Sequence, residues 1–335
     1  MLFTLVTALL IAAFVLCLWY LWEAHHRKTR AMSGGLHKEI SLPHEHPWEL
    51  YHNNLSLCSK KIRVCLDELG INYKAHHIDL IETGAYQTLS RPFLKVNPAA
   101  SVPVLVHNGH PVYESHDQLI YAAAHSDTPN ALVPIEEEKR HLMNHWVHKS
   151  SVTGDDPIAG AHQTAGNAVP GLTLPLFATM IETIPTFNIL EGLLFHRIKK
   201  RALYFLGLKL KGARNLPKQA IEIINDSRAA MHTHLDELES ALNIYQGDWI
   251  TGEQFTLADV GMMVIFERLK EADWLDVFVT DDRPKVKTYW QALQTRASYQ
   301  SAIAEFDHPT VSRGTQRIIE LKGADEGFRA PYAMS

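Results

Sequence analysis

Between residues 48 and 125 the hydrophobic period switches repeatedly between two and about 3.6, which alternates strands with helices. WELYHN (48–53) reads as a strand, and a polar loop carrying Ser56 and Cys58 follows. Ile62, Val64, Cys65, Leu66 and Leu69 then form the apolar stripe of an amphipathic helix that stops at Gly70. NYKAHHIDL (72–80) alternates as a second strand, and a short helix over 86–96 is closed by Asn97-Pro98. Residues 102–106 make a third strand, Asn108-Gly109 signals a hairpin, and 111–113 make a fourth strand. Ser115 caps a helix that runs to about His125. The order is β-α-β-α-β-β-α. Pro103 sits inside a strand pattern, so it marks a strand start or edge, or else half of a cis Val102–Pro103 bond.

A polar loop that feeds a helix presents unpaired backbone N–H groups at the positive end of the helix dipole, a setting that favours an anion or a thiolate. Two side chains of that loop carry chemistry. Ser56 has a hydroxyl to donate to a thiolate. Cys58 sits at the helix start, where a thiol can enter disulfide exchange, or it is a small unreactive residue packed under the loop. Cys65, seven residues on in the apolar stripe, reads as core.

After the turn-rich 127–130 the chain reads as helical over 132–306. His141, His145 and His148 share one helix face, but no accompanying motif makes them a metal site, and no metal is expected. Thr256 and Asp259 have capping-box spacing ahead of an apolar helix. The stretch 151–216 is unusual: Gly/Ala/Pro-rich to Pro170, apolar with three prolines to Pro185, then basic and amphipathic over 187–214, where Glu191 is the only acid against seven Lys/Arg. That last part is read as a helix docked on its own domain, or as an interfacial segment on anionic lipid. The tail, 307–335, is polar and expected to be loosely attached.

Residues 2–22 contain no charged side chain and end in Trp19, Tyr20 and Trp22. A helix of this length spans a bilayer, and the aromatic end suits its interface. A cleaved secretory signal needs a basic leader, a shorter apolar run and a small-residue cleavage site, and none is evident. The run is read as a single-pass anchor. Basic residues follow it (Arg27, Lys28, Arg30), which places the folded part on the cytosolic side. Residues 23–47 are read as a polar linker. A net charge of −5 argues against nucleic acid as a partner, and three cysteines against an extracellular disulfide framework.

The order of strand, Ser-x-Cys loop, Asn-Pro, Val-Pro and Glu114-Ser115 before an Ile-x-Tyr helix resembles the glutathione transferases. The loop LSLCSKKIR is most similar to the zeta and related serine classes, with Leu57 where their second serine stands. The Trp249–Asp259 stretch resembles the cap inside that family's C-terminal domain. The resemblance implies a thioredoxin-like α/β domain over 48–126 and an all-α domain over 132–306, with 151–216 as an insertion. Ganglioside-induced differentiation-associated relatives in that family carry a comparable insertion and an anchor, theirs C-terminal. The resemblance further implies that Ser56 activates the glutathione thiol, with Cys58 as the alternative centre. The backbone of Val102, ahead of Pro103, would pair with the cysteinyl unit, and Glu114 and Ser115 would hold the γ-glutamyl end. The expected partners are glutathione as co-substrate, an apolar electrophile, membrane lipid and a second copy in a homodimer.

Overall fold

The computed structural model describes residues 1–154, 156–196 and 198–333. Helix α1 (Leu2–His26) leads, and a two-stranded start, β1 (Gly35–Leu36) and β2 (Trp48–His52), precedes α2 (Leu57–Glu68). β3 (Lys74–His77), α3 (Arg91–Val96), β4 (Val104–His107), β5 (His110–Tyr113) and α4 (Ser115–Ala124) complete the first domain. The strands lie in the order β1-β5-β4-β2-β3, with β2 and β3 parallel and β4 antiparallel to both β2 and β5. Leu50, Leu105 and Val112 face α2 and α4 on one side of the sheet. Val104, Val106 and Tyr113 face Phe93 of α3 on the other. This is the thioredoxin-like arrangement, and the expected strand and helix order holds.

The second domain is helical: α5 (Glu137–Lys149), α6 (Ala165–Leu172), α7 (Leu174–Ile181), α8 (Thr186–Phe195), α9 (Lys199–Lys211), α10 (Lys218–Ile244) and α11 (Leu257–Glu271), then α12 (Leu275–Phe278), α13 (Pro284–Gln294), α14 (Ala297–Ala302), α15 (Pro309–Ala324) and α16 (Glu326–Arg329). Helix α11 is its axis, buried on every side from Leu257 to Leu269. Thr256 and Asp259 form the expected capping box. The Asp259 carboxylate accepts from the backbone N–H of Ile250 (3.1 Å) and of Thr256 (2.8 Å), the Thr256 hydroxyl (2.9 Å) and the Tyr289 hydroxyl (2.9 Å).

Three regions differ from their sequence reading. The expected linker 23–47 is built into the sheet: β1 pairs with β5, and the Arg30 N–H donates to the Pro98 carbonyl at 2.9 Å. The proline-rich part of 151–216 is not irregular but makes α6 and α7. Pro175 falls in the first turn of α7, where its missing N–H costs nothing, and Thr173, itself helical in φ and ψ, joins α6 to α7. Gly171 lets α6 lie against α10, since a Cβ there would meet the Ser227 hydroxyl at 2.0 Å. The tail is docked rather than loose. Val311, Ile318, Leu321, Phe328 and Tyr332 are buried, and the Tyr332 ring stacks on Trp274 at 3.9 Å. Replacing Asp259 by Ala strands four buried donors, so it should cost about 3 kcal/mol or more, read as a fall in the urea midpoint.

Candidate functional site

Sheet register decides which loops meet. Tyr51 pairs with Val104, and Leu105 with Val112. The C-terminal end of β2, the N-terminal end of β4 and the C-terminal end of β5 therefore lie at one end of the sheet. The 53–56 loop, the Val102–Pro103 turn and the Glu114–Ser115 corner all emerge there. The six residues singled out in the sequence are thus neighbours by topology.

The first loop is shaped by Asn53, which is fully buried. Its Oδ1 accepts from the Leu55 N–H at 2.9 Å, while its Nδ2 donates to the Ile78 carbonyl (2.9 Å) and the Thr83 hydroxyl (3.0 Å). Ser56 is the N-cap of α2, and its Oγ accepts from the Ser59 N–H at 3.2 Å. That bond uses a lone pair and leaves the hydroxyl proton to be donated elsewhere. Cys58 is the second helical residue and is half-buried. Cys65 is fully buried, and burial pushes its thiol up, out of reach of neutral pH.

At the other two loops, the Val102–Pro103 bond is cis and Pro103 is buried at the start of β4. Gln118 of α4, also buried, donates from Nε2 to the carbonyls of Pro103 (3.0 Å) and Val112 (2.8 Å), so one side chain ties the proline turn to the base of the α4 corner. Glu114 is exposed at φ +61°, a region that non-glycine residues rarely occupy and that clusters at functional sites. Ser115 follows as the first residue of α4, buried, with that helix's free N–H groups beside it. The segment after α1 borders this corner: a Cβ on Gly34 would meet Asp117 Oδ2 at 2.0 Å.

The sequence reading missed what lies beneath the loop. Residues Lys60, Lys61 and Arg63 lie outside the apolar stripe of α2, yet all three are buried against the helical domain. Lys60 is ion-paired with Glu271 of α11. Lys61 Nζ donates to the Ser150 carbonyl at 3.0 Å and Arg63 Nε to the Ala302 carbonyl at 2.8 Å. Burial lowers the Lys61 ammonium below the usual lysine value, and the Cys58 sulfur, one helical turn away, opposes that shift. Lys61 thus lies one turn below Cys58, with its ammonium held by the Ser150 carbonyl. The signal was available in the i, i+3 spacing of Cys58 and Lys61.

Trp146 of α5 is buried in the core. On α5, His145 pairs with Glu237 at 3.1 Å, which fits a polar face. Among the described residues one trio, His77, Asp79 and His308, brings ligand-type atoms within 4.8 Å of one another. Its His77 Nε2 already bonds Asp79 (3.1 Å), and His308 Nδ1 accepts from the Thr310 N–H (3.2 Å).

His52, at the end of β2, gives the loop a pH dependence. Burial and the neighbouring Arg63 guanidinium lower its pKa from 6.5 to about 3, and Arg63 Nη1 lies 3.2 Å from its Nδ1. The neutral imidazole's contribution to stability is complete above the unfolded pKa and is lost as pH falls towards the folded one. Stability should drop by about 2 kcal/mol from pH 6.5 to about 5 and continue downward. His52→Gln should flatten that slope, measured as denaturant midpoint against pH.

Comparisons with known proteins agree with this architecture. Residues 55–125 match the family described as glutathione S-transferase, N-terminal domain, and residues 222–304 match the glutathione S-transferase C-terminal domain. The chain is 23% identical over 261 residues to the glutathione S-transferase TCHQD of Arabidopsis thaliana, covering 77% of this chain and 90% of that protein. It is 21% identical over 267 residues to the tetrachloro-p-hydroquinone reductive dehalogenase of Sphingobium chlorophenolicum, covering 76% and 94%. Among solved structures, the beta-etherase LigF from Sphingobium superposes with a TM-score of 0.61 at 18% identity, over 78% of this chain and 100% of that one. A glutathione S-transferase-I bound with lactoylglutathione superposes at 0.54 with 20% identity, over 77% and 99%. Sequence matches to both halves, on a thioredoxin-like sheet joined to a helical bundle, make this chain a member of the glutathione transferase superfamily.

Proposed function

We propose that the protein is a membrane-anchored glutathione transferase that forms the glutathione thiolate beside Ser56 and directs it at an apolar electrophile. The observation that carries this reading is the convergence of Ser56, the Val102–Pro103 turn and the Glu114–Ser115 corner at one end of the sheet in a member of this superfamily. Glutathione lies across that end, its γ-glutamyl group at Glu114 and Ser115 and its cysteinyl backbone on Val102. The Ser56 hydroxyl, already an acceptor for the Ser59 N–H, keeps its proton and donates a hydrogen bond to the sulfur, whose own proton passes to solvent. The first N–H groups of α2 and the buried Lys61 add positive potential. The thiolate then forms a C–S bond to the electrophilic carbon, as a leaving group departs with its bonding electron pair or the π pair of an activated double bond shifts onto its acceptor. Conjugation, isomerisation and dehalogenation share this first step, and the similarity to a reductive dehalogenase supports the last as one outlet.

The anchor is α1, whose apolar residues are exposed along its length and whose mean hydropathy reaches 2.6, the one described helix long and apolar enough to span a bilayer. Its last turns pack on the folded part, which a segment removed on export would not need. Glu23 is ion-paired with Arg91 of α3, and Arg27 with Glu191 of α8 at 2.8 Å.

A second reading is favoured by the position of Cys58, half-buried at the helix start with Lys61 one turn below. The Cys58 thiolate attacks the glutathionyl sulfur of a mixed disulfide, that S–S bond breaks, and the partner leaves as its thiolate. A second glutathione thiolate then attacks the Cys58–glutathione disulfide, releasing oxidised glutathione and restoring Cys58.

Ultraviolet thiolate absorbance of bound glutathione across pH separates the two. Loss of a hydrogen bond to a charged group costs about 1.5–3 kcal/mol, so Ser56→Ala should raise the bound thiol pKa by about one to two units and leave glutathione affinity largely intact. Cys58→Ala should leave that titration in place. A glutathione adduct detected by mass on the parent and absent from Cys58→Ala, with Ser56→Ala unchanged in titration, would replace the first reading by the second. Absence of glutathione binding at millimolar concentration defeats both.

A further inference from the structure

Helix α9 is apolar on two sides. Ala202, Phe205 and Leu208 are buried against the domain, where Phe205 meets Phe177 of α7 at 6.2 Å. On the opposite side Leu203 and Leu210 are 56% and 76% exposed. Helix α8 continues the pattern, with Phe187, Leu190 and Leu194 on one outer face, Phe187 at 80% exposure. Large apolar side chains left exposed opposite a helix's buried face mark a surface that a partner covers.

The position of this surface selects the partner. The ring of Phe195, at the end of α8, lies 6.3 Å from Trp19 and 6.0 Å from Tyr20 of α1. Those two residues mark the depth of the membrane interface if α1 spans. Leu194 and Ile198, both exposed, flank Phe195 in the chain and sit at about that depth. Charge agrees: Glu191, the one acid of 187–214, is consumed by Arg27 of α1, whereas Lys200, Lys211 and Arg214 are exposed. A second copy laid on this face about a two-fold axis would set like charges together, while an anionic bilayer accepts them.

We propose that the outer face of α8 and α9 inserts into the cytosolic leaflet as a second, in-plane membrane contact, with the apolar stripe among acyl chains and the lysines among anionic headgroups. This rests on the anchored reading of α1. The insertion thereby fixes the tilt of the folded part over the bilayer. It also reaches the candidate site through the 81–89 segment. Arg201 of α9 is ion-paired with Glu82, and Asn188 Nδ2 donates to the Gly84 carbonyl at 2.6 Å. Thr83, between those two, holds Asn53.

The test places the photocrosslinker p-benzoylphenylalanine, one position at a time, in the full-length protein at Leu203, Leu210, Leu9 and Ile244, all exposed. Each is reconstituted into nanodiscs of phosphatidylcholine and phosphatidylglycerol, irradiated and weighed. The expected result is a phospholipid adduct at Leu203, Leu210 and Leu9 and none at Ile244. An adduct at Leu9 with none at Leu203 and Leu210, or with protein–protein adducts there instead, overturns the in-plane contact and leaves the anchor standing. No lipid adduct at Leu9 overturns both. Circular dichroism matching the parent keeps misfolding out of the comparison.

Discussion

A cationic helix buried between two domains is the constraint on which the candidate site depends. Helix α2 turns its apolar stripe to the sheet and its Lys60, Lys61 and Arg63 to the helical bundle. Lys60 and Arg268 hold the Glu271 carboxylate below the usual range although burial pushes it up, and Arg268 also reaches the Leu55 carbonyl in the loop itself. At the far end of α2, Glu68 takes Arg296 and the Ser298 hydroxyl. Such pairs contribute little over apolar contacts, but losing one partner costs about 3–5 kcal/mol, so they penalise every other docking register. The loop that carries Ser56 and Cys58 is therefore held from both domains. Its geometry is a property of the interface as much as of the sheet.

Much of this was legible in the residues. Period changes located the strands, Asn108-Gly109 the hairpin, and Thr256–Asp259 the start of the central helix, because each signal acts within a few residues. The family resemblance brought Ser56, Val102 and Glu114–Ser115 into one hypothesis, and the strand register puts their loops at one end of the sheet. What escaped depends on partners far along the chain. Lys61 reads as a surface lysine until Ser150 covers it, eighty-nine residues away. Gln118 reads as an ordinary helix residue until the proline turn is placed beneath it.

The insertion and the tail failed for a related reason. Prolines in 170–185 argued for irregular backbone, yet Pro175 lies where a helix has no N–H to lose. The tail is polar on average, but Val311, Ile318 and Leu321 recur at a helical spacing that tertiary docking rewards and composition hides. Gly314 opposite Met180 completes that fit, since a Cβ there would come within 2.8 Å of the methionine.

The hydrogen bond from Arg30 to Pro98 sets a leash length. Helix α1 ends at His26, four residues earlier, and four extended residues reach about 14 Å at most. Pro98 belongs to the loop that leads into Val102. With α1 in a bilayer, the mouth of the site stays within a few water layers of the headgroups whatever the rest of the chain does. On the proposed reading, apolar compounds dissolved in the lipid would then meet a glutathione thiolate from a two-dimensional reservoir, at the concentration they reach in the membrane rather than in the surrounding water.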